Sequence, residues 1–432
     1  MLKNVNVTVL ANGAKVVSAA DYDAESVAVG IWVGVGGRYE RASQSGVSHF
    51  LEHMLFKGTG KRSALEISRA IEGRGGYLNA FTQEESTCYY TRLPYEFLPQ
   101  AFDVLADMYL NAALKPEDIE RERDVIIEEI KMYQDMPQQV VQEKMQEGMF
   151  RAHSLGVPLA GKPNTLARMD HDFLARYKAA AYTPAATVFA FAGRLDHGAC
   201  VACVEKAFGQ THRPRRPLVF KQVDASVGQE RLVVIQKDIN QVYAAIGFRV
   251  FGRHDERRYT LRVLNSLLGE NMSSRLFQSV RERSGLCYSI QSSYQLFAET
   301  GAFTISGGFD TRRTESALRL TAKELRRVIE TKVGVRELKR AKDYLLGTFR
   351  LGLEGSGNQM MFLGESMLNY GQVADPEETI EKIGAVTPDD VMRVAEDVFT
   401  PERMTVALVV PKSQAQNNDH WRGFVDQVFA KF

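Results

Sequence analysis

The chain has 432 residues, which is too long for one ordinary core and suggests two or three domains. Its composition, 44% hydrophobic and 25% charged, is typical of a soluble globular protein. With 54 basic and 53 acidic residues the net charge is near zero, so the balance gives no indication of binding to nucleic acid or anionic membrane.

The N-terminal segment has the pattern of the first strands of a folded domain. Val, Thr and Leu alternate over residues 5–10 and a turn follows at Asn12-Gly13, which is typical of a β-hairpin and not of a signal peptide. No apolar run approaches the roughly 20 residues of a membrane span. The four cysteines are few for this length, and only Cys200 and Cys203 lie close together. We therefore expect a protein of a reducing cytoplasm.

Strand and helix patterns alternate along the first half of the chain. Ser63 is a good N-cap and Pro116 a good first-turn residue, so helices are expected to begin at both. The predicted elements are a strand over 26–37, helices over 47–57 and 63–73, a strand pair over 76–93, and helices over 95–113 and 117–148.

The order of elements then recurs. Residues 173–193 line up with 390–410 at an offset of 217, each being a helix end, a proline turn and a Val-rich strand. Residues 117–129 line up with 336–348 at nearly the same offset, 219. Periodicity lapses near 209–230. We expect two similar α+β domains from an internal duplication. Their predicted bounds are an N-terminal domain over 1–212, a linker over 213–228 and a C-terminal domain over 229–432.

The second copy lacks several polar residues of the first. At the same offset Glu122 meets Ala341 and Glu129 meets Thr348. When Gly58 is aligned with Gly269, three further polar residues fall opposite other types: His49, Glu52 and His53 opposite Thr260, Val263 and Leu264. The second copy is expected to reach the same fold without these polar residues. We therefore take them as candidates for a functional role and not a folding role.

Residues 49–53 read His-x-x-Glu-His, the reversed form of a zinc-binding signature. On a helix His49 and His53 lie about 40° apart on one face, so both imidazoles can reach one metal ion. Glu52 can point towards the same volume without binding the metal. Five residues are a weak pattern alone, and a core helix with a hydrogen-bonded histidine fits them too.

A zinc enzyme needs a third protein ligand and a position left open for water. The helix that begins at Pro116 offers Glu122 and Glu129, seven residues apart and nearly eclipsed on a partly apolar face. Two carboxylates on a partly apolar helix face indicate a functional site more strongly than a solvent-exposed run of charges does.

The sequence resembles the pitrilysin-type inverted-zincin metallopeptidases, which include the mitochondrial processing peptidases and insulin-degrading enzymes. The resemblance covers essentially the whole chain and rests on "LANGAKVV", "GVSHFLEHMLFKGT", "GYLNAFTQEESTCYY", "ERDVIIEEIKM" and "MSSRLFQSVRERSGLCYSI". It implies two domains, each a mainly antiparallel sheet packed against helices. It also implies one zinc ion per chain, held by His49, His53 and Glu129, with Glu52 as general base and Glu122 orienting a ligand.

The same resemblance implies the substrate contacts. Asn79 and Ala80 would bind an extended peptide along a sheet edge, mostly through their backbone; an ordinary polar hairpin is the alternative. Arg281 and Tyr288 would reach the substrate backbone from the second domain, although Arg281 could equally be a structural salt-bridge partner.

The resemblance implies a bacterial zinc metalloendopeptidase that cuts short or unfolded peptides. Relatives of this length form half of a closed chamber, so we expect a homodimer, or a heterodimer with a homologous and inactive subunit. Two alternatives remain at this point. One is a non-catalytic scaffold subunit of a larger complex, which the intact residue set disfavours. The other is a dedicated processor of one precursor peptide.

Overall fold

The computed structural model describes residues 2–211, 218–224, 226–414 and 418–430. Within these residues the strands are β1 (Val5–Val9), β2 (Lys15–Ala20), β3 (Ser26–Val33), β4 (Tyr77–Thr82), β5 (Thr87–Pro94), β6 (Thr187–Gly193), β7 (Leu232–Lys237), β8 (Gln241–Phe251), β9 (Cys287–Leu296), β10 (Thr300–Asp310) and β11 (Met404–Pro411).

The helices alternate with these strands, and one further segment, Phe277–Arg283, is π-helical. The α-helices of the described residues are α1 (Val47–Leu55), α2 (Ala64–Glu72), α3 (Leu98–Asn111), α4 (Pro116–Gln134), α5 (Pro137–Met149), α6 (Pro163–Leu166), α7 (His171–Ala181), α8 (His197–Phe208), α9 (Arg258–Leu268), α10 (Thr314–Glu330), α11 (Val335–Gly352), α12 (Ser356–Tyr370), α13 (Pro376–Ala385), α14 (Pro388–Val398) and α15 (Asn418–Phe429).

Two sheets with matching topology confirm the predicted fold class. The first has the order β1-β2-β6-β3-β5-β4, and the second the order β7-β11-β8-β10-β9. In each sheet one pair is parallel, β2 with β6 and β7 with β11, and all the other pairs are antiparallel. Apart from the additional β1, the second sheet repeats the first strand for strand, as expected for a duplicated α+β unit.

The chain divides into two compact units that do not follow the sequence halves. The first unit comprises Met1–Ile130, Pro158–Lys221 and Phe349–Pro376, and the second comprises Lys131–Val157, Gln222–Thr348 and Glu377–Phe432. In the first unit α12 covers one face of the six-stranded sheet, and in the second α5 covers one face of the five-stranded sheet. Each unit thus contains one helix from the other half of the chain. The domain bounds expected from the sequence, at 212 and 229, refer to the repeat in the sequence and not to these compact units. They stay a prediction.

Local sequence explains most of the element ends. Ser63 caps α2 as predicted: its hydroxyl accepts from the Glu66 N–H, and the Glu66 carboxylate accepts from the Ser63 N–H at 2.7 Å. The expectation of one helix over 117–148 was wrong. Helix α4 ends at Gln134 and α5 begins at Pro137, because a proline lacks the N–H of a helix interior and disfavours helical backbone at the preceding Met136. Of the predicted linker, 213–217 and 225 lie outside the described residues.

Candidate metal centre

Helix α1 is held rigidly by its apolar face and by its N-terminus. Phe50, Leu51, Met54 and Leu55 are completely buried in the core of the first unit. At the start of the helix, the Glu40 carboxylate accepts from the N–H groups of Gly46 and Ser48 at 2.7 and 2.8 Å. The buried apolar face and the hydrogen bonds to Glu40 at the N-terminus together fix the direction in which the polar residues of α1 point.

The polar residues of α1 form a compact group. The imidazole rings of His49 and His53 lie 4.7 Å apart between centroids, in an edge-to-face arrangement. Glu52, between them in sequence, accepts a hydrogen bond from the Thr82 hydroxyl to its Oε2 at 2.6 Å. Thr82 ends strand β4, so this hydrogen bond joins the helix to the edge of the sheet.

Helix α4 contributes the third donor. The Glu129 Oε2 lies 3.7 Å from the His49 Nε2 and 3.5 Å from the His53 Nε2. One ligand atom from each of the three residues lies within 4.8 Å of the other two. Ligand atoms around a tetrahedral zinc ion at about 2.0–2.1 Å are roughly 3.4 Å apart. Two imidazoles and a carboxylate at this spacing therefore fit a zinc ion and leave room for a fourth ligand.

Glu122 orients one of the two histidines. Its Oε2 lies 3.1 Å from the His53 Nδ1, and its Oε1 lies 2.7 Å from the Lys57 Nζ. With Nδ1 donating to the carboxylate, the His53 Nε2 is left free to face Glu129 and a metal. Burial alone would raise the pKa of Glu122, but the hydrogen bonds from His53 and Lys57 outweigh it and lower that pKa. Glu122 is therefore an ionised hydrogen-bond acceptor.

The two histidines differ in basicity. Burial, with a smaller contribution from His53, lowers the pKa of His49 to about 4 although Glu129 opposes this. For His53 burial also lowers the pKa, but hydrogen bonds with Glu122 and Glu129 reverse the direction and raise it to about 9. His49 is thus already in the neutral form that binds metals. Its Nδ1 is buried and has no hydrogen-bond partner among the described residues.

Glu52 has the surroundings of a proton acceptor. Burial raises the pKa of its carboxyl above 4.5, and the hydrogen bond from Thr82 opposes the shift only in part. A carboxylate with a raised pKa is a stronger base than an exposed one, which suits it to accept a proton near neutral pH.

Strand β4 is an edge strand beside this group. Within the described residues it pairs only with β5, so its outer edge is open. The Ala80 N–H donates to the side-chain oxygen of Asn79 at 2.8 Å, which an added strand would have to displace. Asn79 and Ala80 therefore lie on an open sheet edge, whose last residue, Thr82, touches Glu52.

Arg281 and Tyr288 belong to the second unit, where the structure brings them together. Arg281 lies in the π-helical segment, with its guanidinium 4.5 Å from the Phe277 ring and 5.3 Å from the Tyr288 ring. Tyr288, near the start of β9, is 84% exposed. The Arg281 Nε lies 3.7 Å from the carboxylate of its neighbour Glu282, a weak surface pair. Arg281 is therefore held by aromatic rings more than by an ion pair.

Sequence reasoning missed two contributors to the centre, Lys57 and Thr82. Lys57 lies one helical turn beyond His53, and this spacing was the available signal for its contact with Glu122. The contact of Thr82 with Glu52 becomes visible only when strand β4 is placed beside α1.

Comparison with known proteins assigns the family. The model of the insulinase family, peptidase family M16, matches residues 15–163, and the model of the M16 inactive domain matches 168–345. A protein of Mycobacterium tuberculosis named as an uncharacterized zinc protease is 40% identical over 94% of this chain and 92% of its own length. The chain belongs to peptidase family M16. The M16 match over 15–163 spans the whole candidate metal centre, and the inactive-domain match spans Arg281 and Tyr288.

Other M16 relatives agree over nearly the full length. The uncharacterized zinc protease YmxG of Bacillus subtilis is 35% identical over 93% of this chain and 97% of its own. The crystal structure of a protease from Helicobacter pylori has a TM-score of 0.88 over 95% of this chain and all of that chain, at 20% identity. A structure named as a peptidase M16 inactive domain from Pseudomonas fluorescens has a TM-score of 0.87 over 95% of this chain and 98% of that one, at 17% identity. The predicted family and fold are confirmed.

The inactive-domain match agrees with the residues of the second half. The positions equivalent to the candidate ligands carry no histidine or carboxylate, and the one group of the described residues that could hold a metal ion is His49, His53 and Glu129. Among the described helices none is both long and apolar enough to cross a bilayer.

Proposed function

We propose that this chain is a zinc-dependent endopeptidase that hydrolyses short or unfolded peptides. The observation that carries the proposal is the convergence of His49, His53 and Glu129 beside Glu52, at an open sheet edge. In this proposal the first three residues hold one zinc ion per chain, and Glu122 orients His53. The names of the relatives, zinc proteases, support the choice of metal.

The residues around the centre account for a hydrolytic step. A zinc ion held there would supply the Lewis acid that activates a water molecule and stabilises a developing oxyanion. Thr82 holds the Oε2 of Glu52, which leaves Oε1 to take the proton of the attacking water and pass it to the leaving amine nitrogen. Burial keeps the Glu52 carboxyl basic enough for both transfers.

Peptides would bind as an added strand along β4. Backbone hydrogen bonds accept any extended sequence, which favours short or unfolded peptides over folded proteins. Asn79 and Ala80 would make these contacts, with the Asn79 side chain moving aside. Arg281 and Tyr288 would donate to the substrate backbone, and the exposure of Tyr288 supports this role.

A second chain, identical or homologous, would complete a chamber around the peptide. All four cysteines are free, which suits the reducing cytoplasm of a bacterium.

The test is peptide hydrolysis by matched variants. We expect Glu52→Gln to bind zinc and to lower kcat by 10²-fold or more, since it removes the base alone. Glu129→Gln should lose zinc and activity together. Glu128→Gln, one residue away on the exposed side of α4, should lose neither. A scaffold protein would purify without zinc and leave unfolded casein intact, and full activity in Glu52→Gln would remove Glu52 from the mechanism.

A further inference from the structure

Helix α1 begins at a residue that cannot cap it. The N-cap residue is Gly46, whose φ of 93° lies in the left-handed region. A side chain at this position would come within 2.8 Å of the Ala160 carbonyl oxygen, so only glycine fits. Glycine has no side chain to accept hydrogen bonds from the free N–H groups of the first turn. The helix therefore needs an acceptor from elsewhere in the chain.

That acceptor is the carboxylate of Glu40. Each of its oxygens accepts one N–H: Oε2 accepts that of Gly46 at 2.7 Å, and Oε1 that of Ser48 at 2.8 Å. The Ser48 hydroxyl in turn lies 3.3 Å from that of Tyr177 on α7. A negative charge at this end of a helix also interacts favourably with the helix dipole. One carboxylate thus holds the turn that leads into His49.

His49 lies at the end of α1 that depends on this acceptor. It belongs to the first turn of a helix of nine residues, whereas His53 belongs to the last turn. Helix ends open more readily than helix centres. Opening of the first turn would withdraw one of the three proposed protein ligands from a metal ion. When the turn is held closed, metal binding does not have to supply the free energy of ordering it.

The second copy caps the equivalent helix in a different way. The alignment that pairs the two copies of this region places Gly46 opposite Arg257, the N-cap residue of α9. The Arg257 N–H donates to the carboxylate of Asp255, two residues earlier, at 2.9 Å. Glu40 falls opposite Phe251. The same N–H is therefore capped locally in the copy without the ligand histidines, and by a more distant carboxylate in the copy that has them.

The two caps also differ in what their charge does to the fold. Burial raises the pKa of Glu40 to about 7, although hydrogen bonds from Ser48 and Gly46 oppose the shift. For Asp255 the hydrogen bond from Arg257 outweighs burial and lowers the pKa. A raised carboxyl pKa means that the folded chain favours the uncharged form, so the charge of Glu40 destabilises the fold and that of Asp255 stabilises it. Folding alone would favour the second arrangement.

We propose that Glu40 is a positioning residue of the metal centre, which orders the first turn of α1 so that His49 is in place to bind the ion. Glu40 acts through the two N–H groups from which it accepts, and not as a ligand. The inference rests on the proposed function for the identity of the ion. Its test measures zinc binding and local opening without any peptide, so the two proposals can be distinguished when one fails.

The test compares the zinc affinity of metal-free, full-length chains by competition with a chelating indicator. Glu40→Gln keeps the size of the side chain but replaces one oxygen by an amide group that cannot accept, so one N–H loses its partner. We expect the dissociation constant for zinc to rise about tenfold. Glu40→Asp keeps the charge but is one methylene shorter, and its dissociation constant should lie between those of Glu40→Gln and the unmodified chain.

The control removes the cap of another helix in the same unit. The Asp196 side chain accepts from the Ala199 N–H at 2.8 Å and caps α8. Asp196→Ala should lower the unfolding temperature and leave the zinc affinity unchanged. Hydrogen exchange gives a second readout. In metal-free Glu40→Gln the amides of Ser48 and Phe50 should exchange faster than in the unmodified chain, and added zinc should slow them again.

Two results would overturn this proposal alone. One is a Glu40→Gln chain that binds zinc as tightly as the unmodified chain. The other is an equal loss of zinc affinity in Asp196→Ala, which would make the effect one of general stability. An unmodified chain that binds no zinc would overturn this proposal and the proposed function together. Tight zinc binding without hydrolysis, weakened in Glu40→Gln, would support the role of Glu40 and contradict the peptidase.

Discussion

At the scale of single residues, the candidate centre depends on side chains that hold its carboxylates in place. Thr82 fixes one oxygen of Glu52 and Lys57 one oxygen of Glu122. Neither is a metal ligand in the arrangement seen here. Each nevertheless determines where a carboxylate points, and interactions of this kind are needed to hold a site within a fraction of an ångström.

Replacement of Thr82 by valine tests the first of these contacts. Valine keeps the shape and the strand preference but removes the hydroxyl, so Glu52 is free to turn. We expect kcat to fall roughly tenfold, the scale of one lost hydrogen bond to a charged group, while KM and zinc content stay the same. Thr82→Ser should retain most of the activity. A valine variant with full kcat would show that Thr82 does not position the base.

Removal of the Lys57 ammonium tests the second contact. Without it the Glu122 carboxylate keeps only its hydrogen bond with His53 and can shift away from that ring. We expect Lys57→Met to weaken zinc binding about 10-fold, measured by competition with a chelating indicator. Lys61→Met, an exposed neighbour, is the control. Equal zinc affinity in the two variants would contradict a role for Lys57.

Lys178 makes stability depend on pH. Burial lowers its pKa from 10.5 to about 8, and its ammonium lies about 6 Å from the rings of Tyr109 and Tyr182, whose own pKa values burial raises. Between about pH 8 and 10.5 the unfolded lysine holds more protons than the folded one, so the free energy of unfolding should rise with pH. Over this range the free energy of unfolding should rise by at most about 3 kcal/mol, because each unit of pKa difference between the folded and unfolded states corresponds to about 1.4 kcal/mol.

Lys178→Met should remove this rise and stabilise the protein at pH 7, where the folded state bears the whole cost of a buried charge. Denaturant unfolding at a series of pH values measures it, with the exposed Lys206→Met as control. A methionine variant that is less stable at pH 7 would contradict the effect of burial.

The two pairs of the metal set were visible in the sequence because helical spacing places each pair on one helix face, and the resemblance to a known family indicated that the two pairs meet at one metal ion. His49 and His53 are four apart and Glu122 and Glu129 seven apart, so each pair shares a helix face before any fold is known. Thr82 lies 30 residues from Glu52 and on a different kind of element. Its role requires the register of β4 and the position of α1, which local pattern does not contain.

At the scale of elements, α12 depends on a close approach to the first sheet. A side chain at Gly364 would come within 2.0 Å of the indole nitrogen of the buried Trp32. Gly364→Ala should therefore lower the free energy of unfolding by about 1–3 kcal/mol, because neither side of this contact can move freely. Gly384→Ala on α13, where the added methyl meets nothing, should be neutral or slightly stabilising. Equal unfolding temperatures for the two variants would contradict tight packing of α12.

Most elements followed from caps, prolines and periodicity, and the exceptions have physical causes. The break before Pro137 was readable from that proline, but the helical pattern on both sides concealed it. The placement of α5 and α12, each on a sheet built from the other half of the sequence, was not readable. Both helices have an apolar face, and such a face does not specify which of two similar sheets it covers.

At the scale of the whole molecule, the duplication distinguishes residues that the fold requires from residues that only the candidate metal centre requires. Both sheets have the same strand order around the same kind of core, yet the positions of His49, His53 and Glu129 carry Thr260, Leu264 and Thr348 in the second copy. The fold therefore does not need these polar residues. This comparison within one chain is the strongest reason, apart from the family, to assign them a function.

The most direct measurement of the central claim is a zinc titration of the metal-free protein followed by peptide hydrolysis. We predict that hydrolysis rises in proportion to added zinc and saturates at one ion per chain, and that Glu52→Gln binds the same single ion without hydrolysis. Hydrolysis by the metal-free chain, or saturation at a different number of ions, would contradict a zinc peptidase centred on His49, His53 and Glu129.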